Sequence, residues 1–166
     1  MTAPQSAGLT FNFGLGVVPA HRHVNPDGTQ GGWVADTAHV TPTAYVGPNA
    51  LVYGTALLSD NARVCDTAEV SGHAWVYGSA RVSGSARVSG SALVYDDAWV
   101  CDDALVYGTA WVFGSARVYD SALVYDTARV YGHAWVYDSA RVFGSALVYG
   151  DARVYDRSLS SGYTRK

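Results

Sequence analysis

From Ala38 to Ala152 alanine returns at every sixth position, twenty times without a miss, and two residues after each one stands Val, replaced once by Leu58. Alternate side chains of an extended strand face opposite ways, so an Ala and a Val two places apart share one side and the residues between and after them share the other. A strand that buries only those two must turn before the next Ala, and the period leaves two residues for the corner. The chain therefore winds into stacked coils, each repeat burying its apolar side against its neighbours in the stack. The interior is expected to be narrow, filled by Ala and Val, and held by backbone ladders and repeated small contacts. The unit reads Ala-x-Val-x-[Gly/Asp]-x. Gly suits a corner because it takes positive φ, and Asp, Asn, Ser and Thr because they bond their own turn backbone.

The 166 residues divide accordingly. Residues 1–31 form an aperiodic arm, read as one or two short strands and a turn covering the first coil, because an uncovered sheet edge invites pairing with other chains. Pro42 and Pro48 fall in the corners of the earliest coil and suit such an edge. Residues 32–157 make twenty-one hexapeptides, or seven coils of three. Residues 158–166 are a short tail, with the pattern fading after Asp156. The formal net charge of −3 asks for neither nucleic acid nor an anionic membrane as a partner. Residues 1–15 lack the basic and apolar segments of a signal peptide, and no stretch has the roughly eighteen apolar residues of a membrane span, so a cytoplasmic location is expected. Cys65 and Cys101 are two coils apart in one column, roughly 10 Å at the ~4.8 Å strand spacing. That exceeds the ~7 Å reach of a disulfide, and both are expected as free surface thiols.

The Val and Ala positions resemble the hexapeptide-repeat superfamily, whose form is [LIV]-[GAED]-x-x-[STAV]-x, with Val first and Ala fifth. The likeness spans about three quarters of the chain. It implies an all-β fold, a single-stranded left-handed parallel β-helix of triangular coils. The hand comes from the resemblance alone, since crossover sterics favour the right. The chain departs from the family form at the second position, where Tyr, Phe, Ser or Cys stands and Gly or Asp follows one place later. Within that family it looks most like bacterial and prophage proteins built of "ARVYG"-type repeats. These are often labelled transferases on fold alone, which is analogy and not chemistry.

Acyltransferases of the family use a His base beside loops that interrupt the coils, and take acyl-CoA between subunits of a trimer. No loop interrupts residues 32–157. The coils hold His39, facing outward, and His73 and His133, which replace Ser or Thr at two different corners without a carboxylate or nucleophile evident beside them in sequence. His73 and His133 are the candidates for a base, and both are read as tolerated corner residues. A zinc site like that of the family's γ-class carbonic anhydrases needs three converging His. His21, His23 and His39 supply them only if the arm folds over the first coil, and capping is the role expected of the arm. Asp66, Asp102, Asp120, Asp138 and Asp156 share one corner column, read as turn-bonding residues offset by Arg rather than as a calcium site. No cofactor is expected.

Sorted by an 18-residue coil, the outward residues fall on three faces. One carries Leu57, Trp75, Leu93, Trp111 and Leu147, flanked by Tyr77, Tyr95, Phe113, Tyr131 and Tyr149, with Arg129 its lone charge. Such a strip exceeds the apolar patch a monomer usually exposes and predicts a homo-oligomer interface, with a trimer expected. A second carries Arg63, Arg81, Trp99, Arg117, Trp135 and Arg153 beside Tyr119, Tyr137 and Tyr155. Arg interleaved with rings suits a small anionic ligand such as a nucleotide, through stacking and charge-assisted hydrogen bonds. The third mixes Leu51, Leu105 and Leu123 with Glu69, Arg87 and Arg141 and gives no sharp signal. The sequence thus reads as a non-catalytic oligomeric scaffold of bacterial or phage type. Nucleotide binding on the arginine-bearing face and acyl transfer are its alternatives.

Overall fold

A computed structural model describes residues 8–165, with side chains placed through Gly162. Residues 1–7 of the expected arm and Lys166 of the tail lie outside the described residues. The chain opens with β1 (Thr10–Asn12), β2 (Val17–Val24) and β3 (Gln30–Ala35). From β4 (His39–Val40), β5 (Tyr45–Val46) and β6 (Leu51–Val52), strands of two or three residues recur every six residues up to Arg153–Tyr155. Each pairs in parallel with the strand eighteen residues on, so that Trp75 lies opposite Leu93, Arg81 opposite Trp99 and Arg87 opposite Leu105. The result is a β-solenoid of about seven stacked coils whose three sheets, of 10, 8 and 7 strands, are the three faces sorted from the sequence. We call them the mixed, aromatic and arginine faces in that order. The Ala and Val of the repeats from Ala44 to Val154, with Leu58, are wholly buried. Among the described residues no helix is long and apolar enough to cross a membrane.

The corners explain why the fifth position of the unit is Gly or Asp. Every such residue from Gly54 to Asp156 has φ between 44 and 72°, the left-handed region that Gly enters freely and Asp enters at modest cost. The aspartates do not bond their own turn backbone as the sequence suggested. Oδ2 of Asp60 accepts from the Gly78 N–H at 3.1 Å, that of Asp66 from Gly84 at 3.0 Å and that of Asp102 from Asp120 at 3.3 Å. The left-handed corner aims its side chain along the stack, where the equivalent N–H of the next coil is the nearest donor. Threonines in the following place do the converse. The hydroxyls of Thr67 and Thr109 donate to the carbonyls of Gly84 and Asp126 at 3.1 and 2.9 Å.

Both ends depart from the repeat. At the start, β1, β2 and β3 run antiparallel and extend the mixed face, with β3 paired to β6. Phe11 stacks on Trp33 at 4.8 Å and Phe13 on Tyr53 at 5.0 Å. Two buried arm side chains reach the first strand of the arginine face. His23 Nε2 donates to the Ala44 carbonyl at 3.0 Å, and Asn25 Oδ1 accepts from the Val46 N–H at 2.9 Å. The chain passes so close there that a Cβ on Gly32 would stand 2.0 Å from the Ala50 carbonyl oxygen. At the far end the ladder outlasts the sequence pattern. Ser158–Leu159 pairs with Arg141–Val142 and Tyr163–Arg165 with Leu147–Tyr149, at offsets of 17 and 16 residues instead of eighteen.

Candidate functional site

Because each strand repeats its neighbour's geometry, outward side chains align in columns, and chemistry on this fold is a property of columns. On the arginine face the central column reads Tyr45, Arg63, Arg81, Trp99, Arg117, Trp135, Arg153, each opposite the next in register. The guanidinium of Arg63 lies 4.4 Å from the Tyr45 ring centre and that of Arg81 5.2 Å from Trp99. These two like charges therefore lean in opposite directions along the stack. Arg117 sits between Trp99 and Trp135 at 5.1 and 5.3 Å, and Arg153 covers the far side of Trp135 at 4.7 Å. Both faces of each Trp are thus taken by guanidinium groups, and the stacking expected of a planar ligand is satisfied within the chain. Among the described residues the only ion pairs are His21 with Asp36 and Arg87 with Glu69. Arg81, Arg117 and Arg153 are exposed cations without a carboxylate.

Beside this column Tyr119, Tyr137 and Tyr155 stack at 5.1 and 5.3 Å. Burial, then the neighbouring Tyr137 and aspartates, pushes the Tyr119 phenol up. Earlier in the column stand Cys65 and Cys101, both free and half-buried. Burial, then the Asp102 carboxylate, pushes the Cys101 thiol up to about 11, so it stays protonated at neutral pH and is no nucleophile. One hollow of about 210 Å³ is lined by Trp99, Cys101, Arg117, Tyr119 and Trp135. Another of about 280 Å³ is lined by Ser115, Arg117, His133, Trp135, Asp151 and Arg153. Beyond the tyrosines runs the ridge of Asp102, Asp120, Asp138 and Asp156. Desolvation, then repulsion from Asp156 and Asp120, holds the Asp138 carboxyl above its ordinary value.

The second hollow shows what a search of sequence neighbours misses. Ser115, His133 and Asp151 are eighteen residues apart and meet in one column, where His133 has a hydroxyl on one side and a carboxylate on the other. No hydrogen bond joins the three among the described residues. His73 lies at another corner, its Nδ1 against the Thr55 hydroxyl. The three remaining histidines are scattered. His21 pairs with Asp36 at 2.8 Å, His23 is committed to the Ala44 carbonyl, and His39 points outward on the aromatic face. Among the described residues no three His, Cys, Asp or Glu gather as a metal site would require.

On the aromatic face the flanking column Tyr77, Tyr95, Phe113, Tyr131, Tyr149 forms an unbroken offset stack, with centres 4.9 to 5.3 Å apart and planes within 8°. Its central column carries Leu57, Leu93, Trp111 and Leu147 half-buried, Trp75 at 49% exposure, and Arg129 laid over Trp111 at 4.5 Å. The structure thus gathers the expected interface residues on one surface and the expected ligand residues on another.

A family model, the YdcK β-solenoid repeat, matches residues 80–96, about one coil of the stack. Neither the curated proteins nor the solved structures compared with the chain gave a match. The matched repeat agrees with the architecture.

Proposed function

We propose that this β-solenoid is a non-catalytic scaffold that assembles with itself through its aromatic face, as a trimer, and presents its arginine face to an anionic ligand. The apolar run of Leu57, Trp75, Leu93 and Trp111, with Trp75 exposed and the others half-buried, supports the first part. From Leu57 to Trp111 the run covers three strand spacings, about 14 Å, the ring column beside it continues to Tyr149, and contiguous apolar surface of this kind marks an interaction site. Light scattering of the intact protein tests it. The wild type is expected to be oligomeric and the double variant Trp75→Glu/Trp111→Glu monomeric with unchanged circular dichroism. A monomeric wild type, or an oligomer indifferent to both substitutions, would overturn it.

The exposed cations Arg63, Arg81, Arg117 and Arg153, none in an ion pair among the described residues, support the second part. Since guanidinium groups cover Trp99 and Trp135, the recognised feature is the anion and not a flat base. Catalysis has less support. Neither His73 nor His133 is bonded to a carboxylate, and the Cys101 thiol is held protonated.

A further inference from the structure

The arginine face repeats along its length, so its ligand is best sought by matching periods. Register places Arg81, Arg117 and Arg153 in every second coil with Trp99 and Trp135 between them. The cations therefore recur at two strand spacings, about 9.6 Å. Arg117 lies between two rings, while Arg81 and Arg153 each lie against one. A planar guanidinium held by its faces offers its N–H edge outward, the fork that bonds a carboxylate through two parallel hydrogen bonds. Because these side chains are already ordered by the tryptophans, little rotamer freedom is lost when an anion docks.

We infer that the ligand is a linear, β-linked acidic polysaccharide in which a uronic acid alternates with a neutral sugar, lying along the stack with successive carboxylates on Arg81, Arg117 and Arg153. The inference rests on the anion-binding reading of this face and names its ligand class. A β-linked pyranose ribbon advances by about one strand spacing per sugar and turns over at each linkage, so every second sugar shows the protein the same side. One carboxylate per two sugars then meets one arginine per two coils. A nucleic acid strand carries a phosphate about every 3.4 Å along its axis, so most of its charges fall between the arginines.

The ridge of Asp102, Asp120, Asp138 and Asp156 narrows the class further. It stands beyond Tyr119, Tyr137 and Tyr155, where the other edge of a bound ribbon lies. A polymer acidic at every sugar turns half its carboxylates toward that ridge and is repelled. An alternating polymer turns hydroxyls toward it, and carboxylates accept hydrogen bonds from hydroxyls. The hollows on either side of Arg117 take the substituents of the neutral sugars, with Ser115, His133 and Asp151 as polar contacts in one of them, the carboxylate accepting from sugar hydroxyls.

Titration calorimetry of the intact protein with hyaluronan oligosaccharides of two, four and six sugars tests this, beside β-linked polymannuronate of six sugars, free glucuronate and a single-stranded oligonucleotide. Affinity is expected to rise at least tenfold from the two-sugar to the six-sugar hyaluronan, and polymannuronate to bind at least tenfold more weakly than the latter. Arg117→Gln should weaken the six-sugar ligand roughly tenfold, the scale of a lost charge-assisted hydrogen bond, while Arg87→Gln on the mixed face changes nothing. Equal affinity for every uronate regardless of length or alternation overturns the polysaccharide inference and leaves anion binding standing, as does tighter binding of the oligonucleotide. No binding of any anion at low salt removes both.

Discussion

The aromatic and arginine faces share a backbone and a register, and differ most in how the central column meets its own neighbours. On the aromatic face Leu57, Trp75, Leu93 and Trp111 follow one another, apolar against apolar, before Arg129 closes the run over Trp111. On the arginine face every ring is followed by a cation from Arg81 to Arg153. The one place where two cations are adjacent, Arg63 and Arg81, is relieved because each leans away onto its own ring. A parallel in-register stack repeats every residue against its like, so a charge survives only if its column neighbours differ from it. The aromatic face meets that rule with apolar residues and is left with a surface that seeks a partner. The arginine face meets it by alternation and is left with evenly spaced charges.

The rule is tested most severely by breaking the alternation. Trp99→Arg places guanidinium groups in four consecutive coils and removes two ring contacts. The expected loss is about 2–3 kcal/mol from the missing cation–π pairs and the opposed like charges. The complementary change, Leu93→Arg, puts a cation between Trp75 and Trp111, the arrangement that Arg117 already has. It should alter stability by no more than about 0.5 kcal/mol. Urea melts at concentrations where both variants share one oligomeric state decide the matter. Equal losses would mean that alternation is incidental.

The columns on which this rests were legible in the sequence because eighteen is three sixes, and the burial of Ala and Val follows from strand alternation alone. What the sequence left hidden lies between coils. That Asp102 bonds the Asp120 N–H, and that Ser115, His133 and Asp151 share a hollow, becomes visible only when residues eighteen apart are compared. The opposite leanings of Arg63 and Arg81 depend on rings eighteen residues away, Tyr45 and Trp99. Aperiodic segments gave least. Nothing in the spacing of His23 and Asn25 announces that they bond the first strand of the arginine face, and the slip to offsets of 17 and 16 at the far end has no repeat to reveal it.

The flanking ladders of the aromatic and mixed faces sharpen the comparison at intermediate cost, since both stack ring on ring. Phe113 stacks between Tyr95 and Tyr131, whereas Phe143 on the mixed face has a single stacked neighbour, Tyr125. Phe113→Ala should cost about 1 kcal/mol more than Phe143→Ala, if each ring contact contributes on the order of 1 kcal/mol beyond the area buried. Equal losses would show that area, not stacking, sets the contribution of the ladder.

The smallest expected effect concerns the ridge beside the arginine face, where the rule is broken. Asp120, Asp138 and Asp156 are like charges in consecutive coils, and Asp138 is held above its ordinary value of 3.8, by desolvation first and then by its two neighbours. In the window above 3.8 the folded state holds this proton more tightly than the unfolded chain, so folding stability falls as pH rises through that window. At neutral pH the ionised carboxylate therefore opposes the fold. Asp138→Asn, which keeps a residue tolerant of the left-handed corner, should raise the melting temperature at pH 7. The advantage should shrink as pH falls below about 4, where Asp138 of the wild type is protonated in both states. Asp96→Asn is the reference, because its column neighbours Gly78 and Gly114 carry no side-chain charge. A gain at Asp138 that persists unchanged into acid would assign the effect to corner geometry and not to repulsion along the column.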